Sequence, residues 1–153
     1  MRKIAIKYGI LMFLGFTLFF LAMHLLGQSQ NYNLRIFNGI IHISMITLAI
    51  REYRKAHPEG LSNYLSGVAM GMYSSLIGVV GFVIFMVLYL SGDSELMAHI
   101  QANTPVGDYL NPITASLFIL VEGVAVSLIG SYIVTRIVDM NMASDEAWER
   151  YRR

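Results

Sequence analysis

The sequence predicts an all-α membrane protein with four transmembrane helices in two antiparallel hairpins and a short interfacial helix in the outer loop. Three observations carry that prediction. Of the 153 residues, 56% are hydrophobic and only 14% are charged, where a soluble domain carries roughly a quarter charged residues. The mean hydropathy is +0.56. The apolar residues fall into four runs, 8–27, 34–50, 68–90 and 113–134, and a helix needs roughly 20 mainly apolar residues to cross about 30 Å of hydrocarbon. The second run fits only just. Third, of the eleven Lys and Arg residues all but Arg35 lie on one side of the implied bilayer. Arg2, Lys3 and Lys7 precede the first run, Arg51, Arg54 and Lys55 follow the second, and Arg136, Arg150, Arg152 and Arg153 follow the fourth. The positive-inside rule then places both termini in the cytoplasm. The chain reads as one integral membrane domain, 1–153, with a cytoplasmic tail at 135–153.

Each element has its own local reason. The start "MRKIAIK" resembles the basic region of a signal peptide. The apolar stretch behind it is longer than the 7–15 residues such peptides use. It ends in "HLLGQSQNYN" with no small-x-small cleavage site, so it is expected to stay as an anchor. Phe13, Phe16, Phe19 and Phe20 give this span bulk, and Gly9 and Gly15 give points of close approach. Gly27 and "QSQNYN" make a short turn into the second span. That span continues as "IREYRKAHPEG", which Pro58 and Gly60 stop, and Ser62 is placed to cap the third helix.

The third span, "GVAMGMYSSLIGVVGFVIFMVLYL", carries Gly67, Gly71, Ser74, Ser75, Gly78 and Gly81 at helical steps of three and four. The fourth repeats the device more sparsely with Ser116, Gly123, Ser127, Gly130 and Ser131. Lipid offers no hydrophobic gain for pairing helices, so small residues that let backbones approach supply the packing. Two readings stand: the third and fourth spans pack on each other, or a stripe faces another subunit or partner. Both can hold on different faces. In the outer loop, Asp93 or Ser94 caps a helix reaching about Ala102, with Leu96, Met97 and Ile100 on its apolar side. It is expected to lie along the interface. Pro105, Gly107 and Asn111-Pro112 turn the chain back. The tail "MNMASDEAWERYRR" reads as a polar helix with Trp148 and Tyr151 near the headgroups and arginines against anionic lipid.

Glu122 is the conspicuous residue, an acid near the middle of the fourth span. On an insertion scale the related aspartate costs roughly 2.5–3.5 kcal/mol at a span centre. The twelve Leu, Ile, Val and Phe residues of 113–134 return roughly 4–7 kcal/mol. The span inserts, and the acid then needs a partner, a proton or a water-filled cavity. His42 marks the midpoint of the second span, and Asn38 and Arg35 share its face. Glu122 and His42 are therefore expected to meet inside the bundle. Such a pair serves either as a polar clasp or as a proton relay, with Tyr73 and Ser74 extending any polar path; a lipid or quinone headgroup site is a further reading.

Other constellations carry less. Glu95 and His99, spaced i, i+4 near Asp93 and Asp108, make an oxygen-rich cluster poorer in nitrogen and sulfur than transition metals prefer. Solvated surface charge is the plainer account, and no metal is assigned. His24 and His57 read as incidental. "REYRKAH" serves topology and anionic lipid before nucleic acid. With no cysteine there is no disulfide, thiolate site or thiol nucleophile. No phosphate-binding loop, nucleophile elbow, HExxH or dinucleotide fingerprint is present, so no catalytic residue and no cofactor are expected.

The basic start "MRKIAIKYG", the two hairpins, the connection "REYRKAHPEGLSNYLSGVAMG" with its glycine-rich third helix and the longer acidic outer loop resemble a family of small bacterial inner-membrane proteins classed as a domain of unknown function. The resemblance implies four helices in the bacterial inner membrane and brings no activity or site residue. The four-span plan with a midplane glutamate is also similar to small multidrug-resistance transporters, which are shorter and carry their acid in the first span. The function expected is non-catalytic: an accessory or scaffold subunit that forms a homo-oligomer or packs on a larger membrane complex through its small-residue faces (Gly67, Gly71, Ser75, Gly78, Gly123, Ser127, Gly130). The alternative is a proton-coupled transporter using Glu122 and His42.

Overall fold

The computed structural model describes residues 1–28, 35–57 and 63–152, with side chains except those of Arg35 and 145–152. It is all-α: α1 (Arg2–Leu25), α2 (Arg35–Ala56), α3 (Tyr64–Gly92), α4 (Ser94–Ala102), a 3-10 turn at Gly107–Tyr109, and α5 (Pro112–Arg152). Three segments are long and apolar enough to cross a membrane: α1, α3 and the Pro112–Ser144 part of α5. α2 falls outside that group; Arg35, Arg51, Glu52, Arg54 and Lys55 at its ends dilute its apolar middle.

The helix ends follow from local chemistry. α1 closes with Gly27 at φ +67°, the left-handed conformation that glycine adopts without a Cβ penalty. The Gly27 N–H donates to the His24 carbonyl and the Gln28 N–H to the Met23 carbonyl (2.9 and 2.8 Å), the paired bonds of a Schellman ending. The cap of α3 is Asn63, whose side chain accepts from the Ser66 N–H, not Ser62. Ser62, Pro58 and Gly60 lie outside the described residues. Asp93 caps α4 by accepting from the Leu96 N–H at 2.9 Å, and Leu96 and Met97 are buried against the bundle. α5 runs unbroken for 41 residues, about 60 Å at 1.5 Å per residue, so roughly half lies beyond one bilayer thickness. The side chains of Trp148 and Tyr151 lie outside the described residues.

α3 is the centre of the assembly, packed against α1, α2 and α5, while α2 touches α1, α3 and α5. α2 and α3 thus form the short diagonal of a rhombus, and α1 and α5 the far corners. Matched contacts give the directions. Lys7 meets Glu52 while Phe19 meets Phe37, so α1 and α2 are antiparallel. Gly67 faces Thr135 while Gly123 faces Val79, so α3 and α5 are antiparallel too.

The small-residue stripes are spent on these contacts. A Cβ on Gly71 would collide with Ser131 Oγ, one on Gly78 would lie 2.8 Å from Met12, and one on Gly130 2.6 Å from Ile43. Such positions accept only glycine without a shift of the neighbour. The stripes therefore face other helices of the same chain, and the surface left for lipid or partners is mainly apolar, with Leu18 (65% exposed), Leu88 (70%), Val121 (68%) and Ile129 (61%) among its most exposed side chains. The C-terminal halves of α1 and α3 are aromatic where they meet, with Phe16, Phe20, Phe82, Phe85 and Tyr89 in mutual ring contact and His24 stacked on Phe20.

Candidate functional site

One face of α2 carries the interior polar groups. His42, Ile46, Ala49, Ile50, Tyr53 and Arg54 are all buried, at the steps of three and four that put residues on one side of a helix. His42 and Arg54 stand about 18 Å apart along this face, and each ties α2 to α3 and α5.

The His42 imidazole is 4% exposed. Its Nε2 lies 3.2 Å from Ser75 Oγ on α3 and 3.1 Å from Ser127 Oγ on α5, and Phe16 of α1 packs edge-on against the ring. The Ser127 hydroxyl already donates to the Gly123 carbonyl at 2.6 Å. Its oxygen is therefore free to accept, which assigns the ring proton to Nε2. This is a neutral clasp among three helices.

The expected pair with Glu122 is not formed. Glu122 sits at an exposed position, where it has an interaction of its own, while the ring nitrogen of His42 that bonds its neighbours goes to serines. Helical phase explains the difference. Glu122 precedes Ser127 by five residues, which is about 140° around the axis and about 7 Å along it. With Ser127 turned inward, Glu122 turns out. Tyr73 is 56% exposed, on the surface of α3 rather than on a polar path, whereas Ser74 is fully buried and donates to the Met70 carbonyl at 2.9 Å. Asn38, one turn from His42, is half-buried, and its side-chain oxygen makes no hydrogen bond among the described residues. The Arg35 side chain lies outside the described residues.

The second clasp was not legible as a site. Arg54 has no exposed surface and Asp139 a side-chain exposure of 14%. The guanidinium grips the carboxylate with two parallel bonds, Nε to Oδ1 at 2.8 Å and Nη2 to Oδ2 at 2.9 Å, the fork geometry that strengthens such pairs. Nη1 donates to Ser66 Oγ at 3.0 Å and to the Asn63 carbonyl at 3.3 Å. The N-terminus of α3 is thereby included. Gly67 makes room: a Cβ there would lie 2.8 Å from Arg54 Nη2 and 2.6 Å from Thr135 Cγ2. Nearby, the Tyr64 hydroxyl donates to the Tyr132 carbonyl, a further tie between α3 and α5. A sequence signal did exist. Ser131, Thr135 and Asp139 recur every fourth residue on α5, so an acid continues the inward face that the small residues mark.

Elsewhere, polar groups serve local structure. Asp93 caps α4, His99 contacts Asn103, and His57 Nδ1 lies 3.2 Å from the Tyr53 carbonyl. Among the described residues no three His, Asp or Glu side chains gather as metal ligands.

No curated protein and no solved structure matches the chain. A family model matches residues 3–105, which takes in His42, Arg54, Gly67 and Ser75 and stops before Ser127 and Asp139. On that match, covering α1 to α4, the chain belongs to the family described as "Protein of unknown function (DUF4199)".

Proposed function

We propose that the chain is a non-catalytic, four-span protein of the bacterial inner membrane, built as two hairpins with both termini in the cytoplasm. It serves as an accessory or scaffold subunit that self-associates or packs on a larger membrane complex. The observation that carries this reading is the use of the interior polar groups. His42 and Arg54 are engaged in ties between helices, while the outer faces of α1, α3 and α5 are mainly apolar, with Glu122 the exposed acid among them. The α2 helix enters as the fourth crossing because its stretch between Arg35 and Arg51 has no charge. That stretch spans about 24 Å, and it packs between three other helices. The distribution of Lys and Arg gives the orientation.

Since the small-residue faces are filled within the chain, a partner docks on the exposed aliphatic faces. The test has two arms. Gentle purification from native membranes should return the protein with itself or with a partner in fixed ratio. Reconstitution in vesicles holding a pH-sensitive dye should show no proton flux. Flux that disappears with Glu122→Gln or His42→Ala would overturn the reading in favour of proton-coupled transport.

A further inference from the structure

The basic residues at the cytoplasmic end are unevenly placed. On α1, Lys3 and Lys7 lie one turn apart, and on α2, Arg51 and Lys55 do the same; all four are exposed. Glu52, next to Arg51 in sequence and three residues before Lys55, ties α2 to α1 here: its Oε2 accepts from Lys7 Nζ and from the Tyr8 hydroxyl, both at 2.6 Å. Four cations thus share this end of the two helices, and among the described residues only Lys7 of the four is paired with a carboxylate. Lys7 remains 53% exposed and, as an ammonium with three donors, keeps two for another acceptor. Its Nζ lies 4.9 Å over the Tyr8 ring, which together with Glu52 holds it at the seam between the helices.

Above this group the seam is lined by exposed apolar side chains, Leu11 and Leu14 on α1 (44% each) and Leu48 on α2 (43%). They continue the faces of Lys7 and Glu52 at steps of three and four. Arg136 of α5 is exposed too, and Asp139, three residues on, is bonded to Arg54. Among the described side chains, the contrast is between four cations on two adjacent helices beside an aliphatic seam and the one exposed arginine of α5.

The geometry points to a binding site for an anionic phospholipid at the α1–α2 seam, with its phosphate among Lys3, Lys7, Arg51 and Lys55 and an acyl chain along Leu11, Leu14 and Leu48. This rests on the reading of α1 and α2 as membrane crossings with this end at the inner headgroups. Charge complementarity selects the lipid class: a basic residue near an anionic membrane surface contributes about fivefold in affinity. Glu52 has a second role here, orienting Lys7 rather than neutralising the site.

The test uses the full chain, purified in detergent, exposed to equal amounts of phosphatidylglycerol and phosphatidylcholine, washed, and assayed for retained lipid by mass spectrometry. Phosphatidylglycerol should be retained in preference. Arg51→Gln with Lys55→Gln should weaken its retention by about 25-fold, and Lys3→Gln alone by about fivefold. Arg136→Gln should leave it unchanged. Equal retention of the two lipids overturns the site, as does a loss with Arg136→Gln matching that of the α2 pair, since a diffuse basic belt would then explain the data. Extraction of the protein from membranes by alkaline carbonate would sink the crossing reading and the site together. A chain that resists extraction yet shows no lipid preference sinks the site alone.

Discussion

The two clasps on α2 join the same three helices by different chemistry. At His42 the ties are neutral bonds to two hydroxyls. At Arg54, twelve residues nearer the C-terminal end of α2, the tie is a bidentate ion pair with further donors to the start of α3. On the proposed four-span reading the contrast follows depth. Midway through a bilayer an ion pair is costly because no water repays the desolvation of either charge, and a hydroxyl–imidazole contact asks little. Near the headgroups the cost falls, and the charged fork adds strength and angular definition. The lesson is that one helix face can fix register twice, weakly where it is dry and strongly where water is close.

The largest effect should come from breaking the charged clasp. Asp139→Ala leaves the Arg54 guanidinium buried without its carboxylate, and unfolding in detergent should show a loss of about 3–5 kcal/mol. Arg54→Met with Asp139→Leu removes both charges and should recover most of that loss, since apolar replacement of a buried pair is often neutral. A double variant as unstable as the single one would show that packing, not the lost carboxylate, dominates.

The neutral clasp should give less. A double-mutant cycle between His42→Ala and Ser127→Ala should show a coupling of about 0.6 kcal/mol, the average for such bonds within membranes. The same cycle between His42→Ala and Glu122→Gln should be additive. Coupling in the second cycle and none in the first would reverse the assignment.

The smallest effect lies at the surface pair joining α1 to α2. Hydrogen bonds from Lys7, then from Tyr8, hold the Glu52 carboxyl below its ordinary value of 4.5. A carboxyl lowered in the folded state stabilises the fold above its unfolded value, and that contribution fades as pH falls through the folded one. A stability titration should therefore show wild type losing its advantage over Glu52→Gln on acidification below about pH 4.5. Exposure keeps the effect small, and an advantage that persists at the acid end would exclude the pair as its source.

Much of this architecture is written in local pattern. The Schellman glycine at Gly27, the Asp93 cap and the small residues of α3 could each be read from neighbours within a turn or two. Where local reading fell short, the missing quantity was rotation. The centre of the 113–134 run put Glu122 at the level of His42, yet α5 continues well past that run, and the residue level with His42 is Ser127. Hydropathy measures depth along a helix and is nearly blind to azimuth. The cap of α3 is Asn63, one residue past the Ser62 that the sequence suggests, because adjacent polar residues carry the same capping signal and local pattern does not rank them.

By itself the sequence determined that the chain is helical and apolar enough for lipid, where its helices turn, and which residues let backbones approach. Those follow from periodicity, capping and hydrophobicity, which act over a few residues. Only the tertiary structure decided that Arg54 meets Asp139, 85 positions away, and that His42 is held by serines while Glu122 looks outward. The physical reason is that each helix has one free rotation about its axis. That rotation is set by the fit of glycine against side chain, summed over all the neighbours at once.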